Sequence, residues 1–294
     1  MNSNFVIMGL PASGKTTFLA ALWHLVGSDE TKCRLKLDGY KGDLEYLNLI
    51  AGAWRTFQPV PRTSLIGDMN VTIQLCNRES NQSSTVVFPD LAGETFDRQV
   101  EERRCRSEFV EEFIDEDGIL FFINADVKED MLSINEFNSR IPIEGALNVA
   151  GITDKSAEKT VKSAVLQEWE PKFLPAQVKI VQLLSDLVRP PFDPRCRRLA
   201  ILISAWDIVR DMRLTPRQWL ATNMPFVDQF LRTNGCFFKN QVYGVSAQGV
   251  NLQDDAAVDE IAKLTASRRI QIVGPEGEGH DLTEPLVWLM SADE

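Results

Sequence analysis

The sequence predicts an α/β fold, a mixed and mostly parallel sheet flanked by helices and carrying a helical insertion. Three observations point there. Phe5-Val6-Ile7-Met8 is an apolar run of buried-strand type that leads into a glycine-bearing turn and then a helix. Gly118 to Asn124, Arg198 to Ile203 and Val242 to Val245 are further continuous apolar runs, the pattern of parallel strands covered on both faces. Each of these runs ends in a polar cluster, which places the chemistry along one edge of the sheet.

The elements follow in order. Thr16 to Trp23 continues at helical spacing after the first strand. Cys33 to Leu37 alternates like a half-exposed strand. Leu44, Leu47, Ile50, Ala51, Trp54 and Phe57 recur at helical spacing and predict a helix over 42–57, which Pro59 and Pro61 prevent from continuing. Val71 to Leu75 and Thr85 to Phe88, joined by a polar stretch, predict a hairpin. Residues 94–114 read as one helix with Phe96, Val100, Phe109, Val110 and Phe113 on its apolar side.

The segment 127–197 is long for an α/β connection and is taken as the insertion, in a single domain spanning 1–294. Pro175 fits the first turn of a helix ending near Val188. Thr215-Pro216 starts a helix bearing Trp219, Leu220, Met224, Val227, Phe230 and Leu231, with Gly235 as its stop. Val242 to Val245 reads as the last strand, residues 250–281 as an acid- and glycine-rich excursion, and Leu282 to Met290 as a closing helix.

Composition narrows the function classes. Hydrophobic content of 44% suffices for an ordinary core. The net charge of −11 argues against nucleic acid as the main partner. Five scattered cysteines form no C-x-x-C pair, and the two histidines, His24 and His280, form no metal pattern. No basic-then-apolar leader is expected before Phe5, and no apolar run reaches the roughly 18 residues of a membrane span. A soluble, cytoplasmic protein is the expectation.

Gly9-Leu10-Pro11-Ala12-Ser13-Gly14-Lys15-Thr16 fits G-x-x-x-x-G-K-[ST], and its strand and helix flanks are the setting the motif requires. Backbone N–H groups of Gly9, Pro11-to-Gly14 and the helix start at Lys15, Thr16 and Thr17 suit a phosphate chain, proline itself having no N–H to give. Lys15 would reach the β- and γ-phosphates, and the Thr16 hydroxyl would sit on Mg²⁺. Asp90-x-x-Gly93 follows the hairpin, Ser204-Ala205-Trp206-Asp207 follows one later strand, and Ser246-Ala247-Gln248 another.

That ordered series resembles the Ras-like, translation-factor-type P-loop GTPases. The resemblance covers nearly the whole chain and implies GTP or GDP and Mg²⁺ as ligands, with effector or regulatory proteins as partners. It implies that Asp90 holds Mg²⁺ through water and that Gly93 offers its N–H to the γ-phosphate. Asp207 would accept from guanine N1 and N2, with Ser246 and Ala247 holding the base from the far side. Thr63 is the threonine expected to close over Mg²⁺ and the γ-phosphate, and Thr56 is the alternative. The segments Trp169 to Leu184, Thr215 to Leu220 and His280 to Leu286 further resemble the double-GTPase proteins, a group associated with bacterial conflict and anti-phage gene clusters.

Several positions depart from the family pattern Asn-Lys-x-Asp and its companions. Ser204 replaces the asparagine whose amide tethers the loop, and Ala205 replaces the lysine whose stem packs on the base. Asp207 alone still discriminates guanine from adenine, although a helix cap or surface acid is the competing reading. Glu94 stands where many members have a water-orienting glutamine; its carboxylate accepts from water but repels phosphate, so slow unaided hydrolysis is expected. A first-turn acid of the next helix is an equal reading for Glu94. Gln248 is a mild change, Arg62 is a solvated loop arginine before it is a cis arginine finger, and Trp206 is core before it is a flank of the base. Nucleotide binding with little hydrolysis and an ATPase are the rival functions. A kinase lid would draw on Arg268-Arg269, the late basic pair, but the Asp-x-x-Gly after a hairpin points away from kinases.

Overall fold

The computed structural model describes residues 2–28, 30–60, 71–88, 94–114, 116, 118–126 and 174–291. In chain order the strands are β1 (Asn2–Gly9), β2 (Leu35–Lys41), β3 (Val71–Asn77), β4 (Ser83–Phe88), β5 (Gly118–Asn124), β6 (Arg197–Ser204), β7 (Phe238–Ser246), β8 (Gln271–Gly274) and β9 (Gly277–Gly279). The helices are α1 (Lys15–Ser28), α2 (Leu44–Arg55), α3 (Glu94–Glu102), α4 (Ser107–Ile114), α5 (Ala176–Asp186), α6 (Pro216–Asn223), α7 (Pro225–Thr233), α8 (Asp255–Ile261), α9 (Ala266–Arg269) and α10 (Glu284–Met290), with a 3₁₀ turn at Trp206–Met212.

The described strands form one sheet in the order β2-β3-β4-β1-β5-β6-β7-β8-β9. Its centre, β4-β1-β5-β6-β7, is parallel, and its edges at β2-β3-β4 and β7-β8-β9 are antiparallel. Alternation along the central strands sends neighbours to opposite faces. Phe5, Ile7, Leu120 and Phe122 pack with α1, α2 and α10 on one side. Val6, Met8, Ile119, Phe121 and Ile123 pack with α3 to α7 on the other.

Local chemistry explains the helices. Asp43 caps α2 by accepting from the Tyr46 N–H, and Tyr46, Leu47, Ile50 and Trp54 form its buried stripe. α5 begins after Pro175 with no side-chain cap bond. A cap is worth about 1 kcal/mol, whereas each fully buried Leu or Ile contributes about 1.5–3 kcal/mol. Ile180, Leu183 and Leu184 therefore hold α5 on the sheet. This helix occupies the later part of the expected insertion, whose residues 127–173, including Trp169, lie outside the described residues.

Three elements differ from the sequence reading. The helix expected over 94–114 is divided into α3 and α4, and Arg103 between them takes a left-handed φ of 55°. The helix after Thr215 is also divided, because Pro225 has no N–H to continue α6 and instead opens α7. Residues 250–281 hold α8, α9 and the hairpin β8-β9, so the strand at Val242 to Val245 is not the last. β8 pairs back on β7, with Ser246 opposite Gln271.

At the far end of the sheet, Glu116 is buried between two arginines. Arg197 Nε donates to its Oε1 at 2.8 Å, and Arg195 Nη2 donates to its Oε2 at 2.8 Å. Burial pushes the Glu116 carboxyl up, and both guanidiniums oppose that shift. Arg197 also donates to the carbonyls of Leu187 and Asp193, tying the end of α5 and the loop after it to the start of β6. Removing the carboxylate leaves Arg197 buried without its counter-ion. Glu116→Ala should lower stability by about 3–5 kcal/mol, measured as a drop in urea midpoint at constant m; a change within experimental scatter would contradict this.

Candidate nucleotide site

The parallel register sets the rim of the site. Gly9, the last residue of β1, lies opposite Phe122, while Asn124, Ser204 and Val245 align across β5, β6 and β7. The loop after β1 therefore curls over the ends of β5 and β6. Ala12 takes φ 56° and Gly14 φ 90°, and alternating handedness of this kind turns successive N–H groups to one side. At Gly14 a Cβ would sit 2.7 Å from the Ser204 Cβ, so glycine is required both for its φ and for the close approach of β6.

Lys15 opens α1 and is 5% exposed. Its Nζ donates to Gly9 O at 2.7 Å, Leu10 O at 2.9 Å and Ser13 Oγ at 3.2 Å. The ammonium thus spans the mouth of its own loop. Pro11 stands in the turn of that loop, and Thr16 and Thr17 follow in the first turn of α1, each half-buried. The Phe96 ring lies 6.0 Å from Lys15 Nζ, which brings the start of α3 against the loop. Glu94 is the first residue of α3.

At the other end, the β6–3₁₀ junction turns through Ala205 in the left-handed region, φ 52°, and presents Asp207. Ser246 Oγ donates to Asp207 Oδ1 at 2.5 Å and accepts the Gly249 N–H at 3.2 Å. Asp207 and the Ser246-Ala247 pair, distant in sequence, are thus brought together. A cavity of about 740 Å³ joins the two ends, lined by Ala12, Gly14 and Thr17 on one side and Asp207, Ala247 and Gln248 on the other. That volume falls within the range of small-molecule sites.

Thr63, Asp90, Gly93 and Arg62 lie outside the described residues. Thr56, the alternative threonine, caps its own helix: its hydroxyl donates to Gly52 O at 2.9 Å. Trp206 is 5% exposed and packs edge-on to Trp219 at 6.4 Å, in the core as the sequence favoured. Gln248 donates from Nε2 to Trp54 O at 3.3 Å.

Sequence reasoning missed two features. Asn124 Nδ2 donates to Ala12 O at 2.9 Å, and its Oδ1 accepts the Asp126 N–H at 2.9 Å. Its amide anchors the loop from β5, next to Ser204 on β6, the position where the expected tether is absent. The signal was an asparagine closing an otherwise apolar strand. Phe57, Pro59 and Val60 give the cavity part of its apolar wall, whereas the sequence spacing assigns Phe57 to the helical stripe of α2. Among the described residues, no cluster of His, Cys, Asp or Glu could hold a metal ion, and no helix is long and apolar enough to cross a membrane.

Asn124→Ala should weaken nucleotide binding about tenfold, the cost of one amide–carbonyl bond and the loop order it maintains. Equilibrium titration with fluorescent GDP reads this, and unchanged affinity would remove the tether.

The family comparison agrees with this geometry. The model of a family described as Double-GTPase 1 matches residues 6–289. A comparison with curated proteins finds no match. Among solved structures, the chain is similar to the S. cerevisiae Ski7 GTPase-like domain bound to GDP and inorganic phosphate, at 12% identity and a TM-score of 0.40, covering 84% of this chain and 43% of that one. The same domain bound to GTP gives 12% identity and a TM-score of 0.39, covering 85% and 43%. The chain thus spans less than half the length of the Ski7 chains it matches. With the family model running from β1 into α10, the chain belongs to the Double-GTPase 1 family.

Proposed function

We propose that this chain is a single-domain, Mg²⁺-dependent GTPase that switches a partner protein, in the cytoplasm and in a bacterial defence setting. The observation that carries the reading is a continuous cavity joining the phosphate loop to Asp207 and Ala247, with Ser246 bonded to Asp207 behind it. In this reading the loop amides and Lys15 hold the phosphates, and Lys15 offsets their charge as γ-phosphoryl transfer proceeds. Asp207 accepts from guanine N1 and N2 while Ser246 fixes its carboxylate, and the Ala247 backbone borders the base. Adenine has no matching donor pair.

The residues assigned to Mg²⁺ are Thr16, Thr63 and Asp90, and their hydroxyl and carboxylate oxygens are the hard donors that this ion takes. Bound there, Mg²⁺ would neutralise charge on the phosphate oxygens. Gly93 would donate its N–H to the γ-phosphate, and Thr63 would close over it. Loss of that phosphate releases both segments, which is the change a partner reads. The defence setting rests on the double-GTPase group alone, and the cytoplasm on the free thiols of all five cysteines.

Glu94 favours a second reading, binding with little turnover. An anion beside the γ-phosphate can accept a proton from water but repels the phosphoryl group. Glu94→Gln should raise single-turnover GTP hydrolysis at least about tenfold, equivalent to about 1.4 kcal/mol of barrier. No turnover in either form, with or without a partner, would leave the binding-only function.

A nucleotide panel tests the base assignment. Asp207→Asn should lose GTP and gain xanthosine triphosphate, and Lys15→Ala should bind neither. Equal binding of ATP and GTP by the unaltered protein would remove the guanine assignment.

A further inference from the structure

The late basic pair Arg268-Arg269 has no part in the reading above. Arg269 ends α9 and is 2% exposed, with no carboxylate salt bridge among the described residues. Its guanidinium lies between two rings, 4.9 Å from the Trp54 centroid and 4.2 Å from the Phe57 centroid. Nη2 donates to Arg55 O at 3.1 Å, and Nη1 is buried without a hydrogen-bond partner among the described residues. Burial holds the guanidinium below its usual range, against the attraction of Glu30. Removing such a group from water is costly, and the two aromatic faces, the Arg55 carbonyl and a 3.4 Å bond from Nε to the Ala266 carbonyl compensate it.

Trp54, against which the guanidinium packs, and the Arg269 backbone meet the base end of the cavity from two directions. Trp54 Nε1 donates to Ala247 O at 2.9 Å, and Gln248 returns a bond to Trp54 O. The β7–β8 pairing of Ser246 with Gln271 fixes the backbone two residues beyond Arg269. Gly249, with φ 82°, passes so close to the Arg269 carbonyl oxygen that a Cβ there would collide with it. Phe57 itself takes φ 58°, a left-handed conformation unfavourable for a bulky aromatic residue and kept only where its surroundings dictate it.

We propose that Arg269 is a positioning residue for the base side of the nucleotide cavity, clamping the Trp54–Phe57 segment onto the Ala247–Gly249 loop. One buried cation thereby sets both the apolar wall at Phe57 and the loop that borders the base. The phosphate loop lies outside this clamp, so the clamp acts on base binding and not on phosphate binding. The inference rests on the cavity being the nucleotide site.

The test compares GDP with inorganic tripolyphosphate as probes on the full chain. Arg269→Gln should raise the GDP Kd about tenfold and leave the tripolyphosphate Kd unchanged. Arg269→Lys keeps the charge but loses the planar stack and the bond to Arg55, so it should fall between the two. Trp54→Phe keeps an aromatic face and deletes the donor to Ala247, and should raise the GDP Kd about fivefold. Amide exchange over Trp54–Val60 in nucleotide-free Arg269→Lys should be faster than in the unaltered protein. Unchanged GDP affinity in these variants, or equal loss of GDP and tripolyphosphate, overturns the clamp. If the unaltered protein binds no guanine nucleotide, the cavity reading itself fails, and unchanged exchange over Trp54–Val60 would then overturn the clamp separately.

Discussion

The parallel register of β1, β5, β6 and β7 is the constraint on which the site depends. It fixes Asn124, Ser204 and Val245 in one row, and that row is the floor on which the phosphate loop rests. Slipping any of these strands by one residue would exchange its two faces. Ser204 would then leave Gly14, and Asn124 would leave Ala12. The two buried layers oppose such a slip, because every inward residue on the central strands would move to the wrong layer.

The site's two ends are held by different physics. The phosphate end is backbone-built: a left-handed Ala12, a glycine pressed on β6, and a lysine held by its own loop carbonyls. From outside the motif this end is anchored by the Asn124 amide on the Ala12 carbonyl. The base end is held by side chains from distant segments, with Ser246 on Asp207, Trp54 on Ala247 and Arg269 on Trp54. In the proposed reading its selectivity is open to tuning by residues that never touch a ligand, which fits a base loop in which Ser204 and Ala205 replace the asparagine and lysine while Ser246 still holds Asp207.

The sequence made the local features legible. The glycine loop, the apolar parallel strands and the hairpin at Val71 to Phe88 each depend on a short window, and each is present. What escaped depends on pairing between remote segments. Asn124 and Ala12 are 112 residues apart, and Arg269 and Arg55 are 214 apart. The hairpin β8-β9 escaped because Gln271 to Gly279 is short and glycine-rich, and acquires strand geometry only by pairing on β7. The breaks at Arg103 and Pro225 were missed because the apolar spacing continues across them; the chain resets its helix while keeping the same face buried. Phe57 was misread for a related reason. It continues the α2 spacing, but its left-handed φ turns it out of that stripe and into the cavity wall.

A structure determined with GDP bound tests the central claim most directly. The account places the β-phosphate within the Gly9–Thr16 loop and guanine N1 and N2 within hydrogen-bond distance of the Asp207 carboxylate. A base lying away from Asp207 and Ser246, or a nucleotide bound outside this cavity, would contradict it.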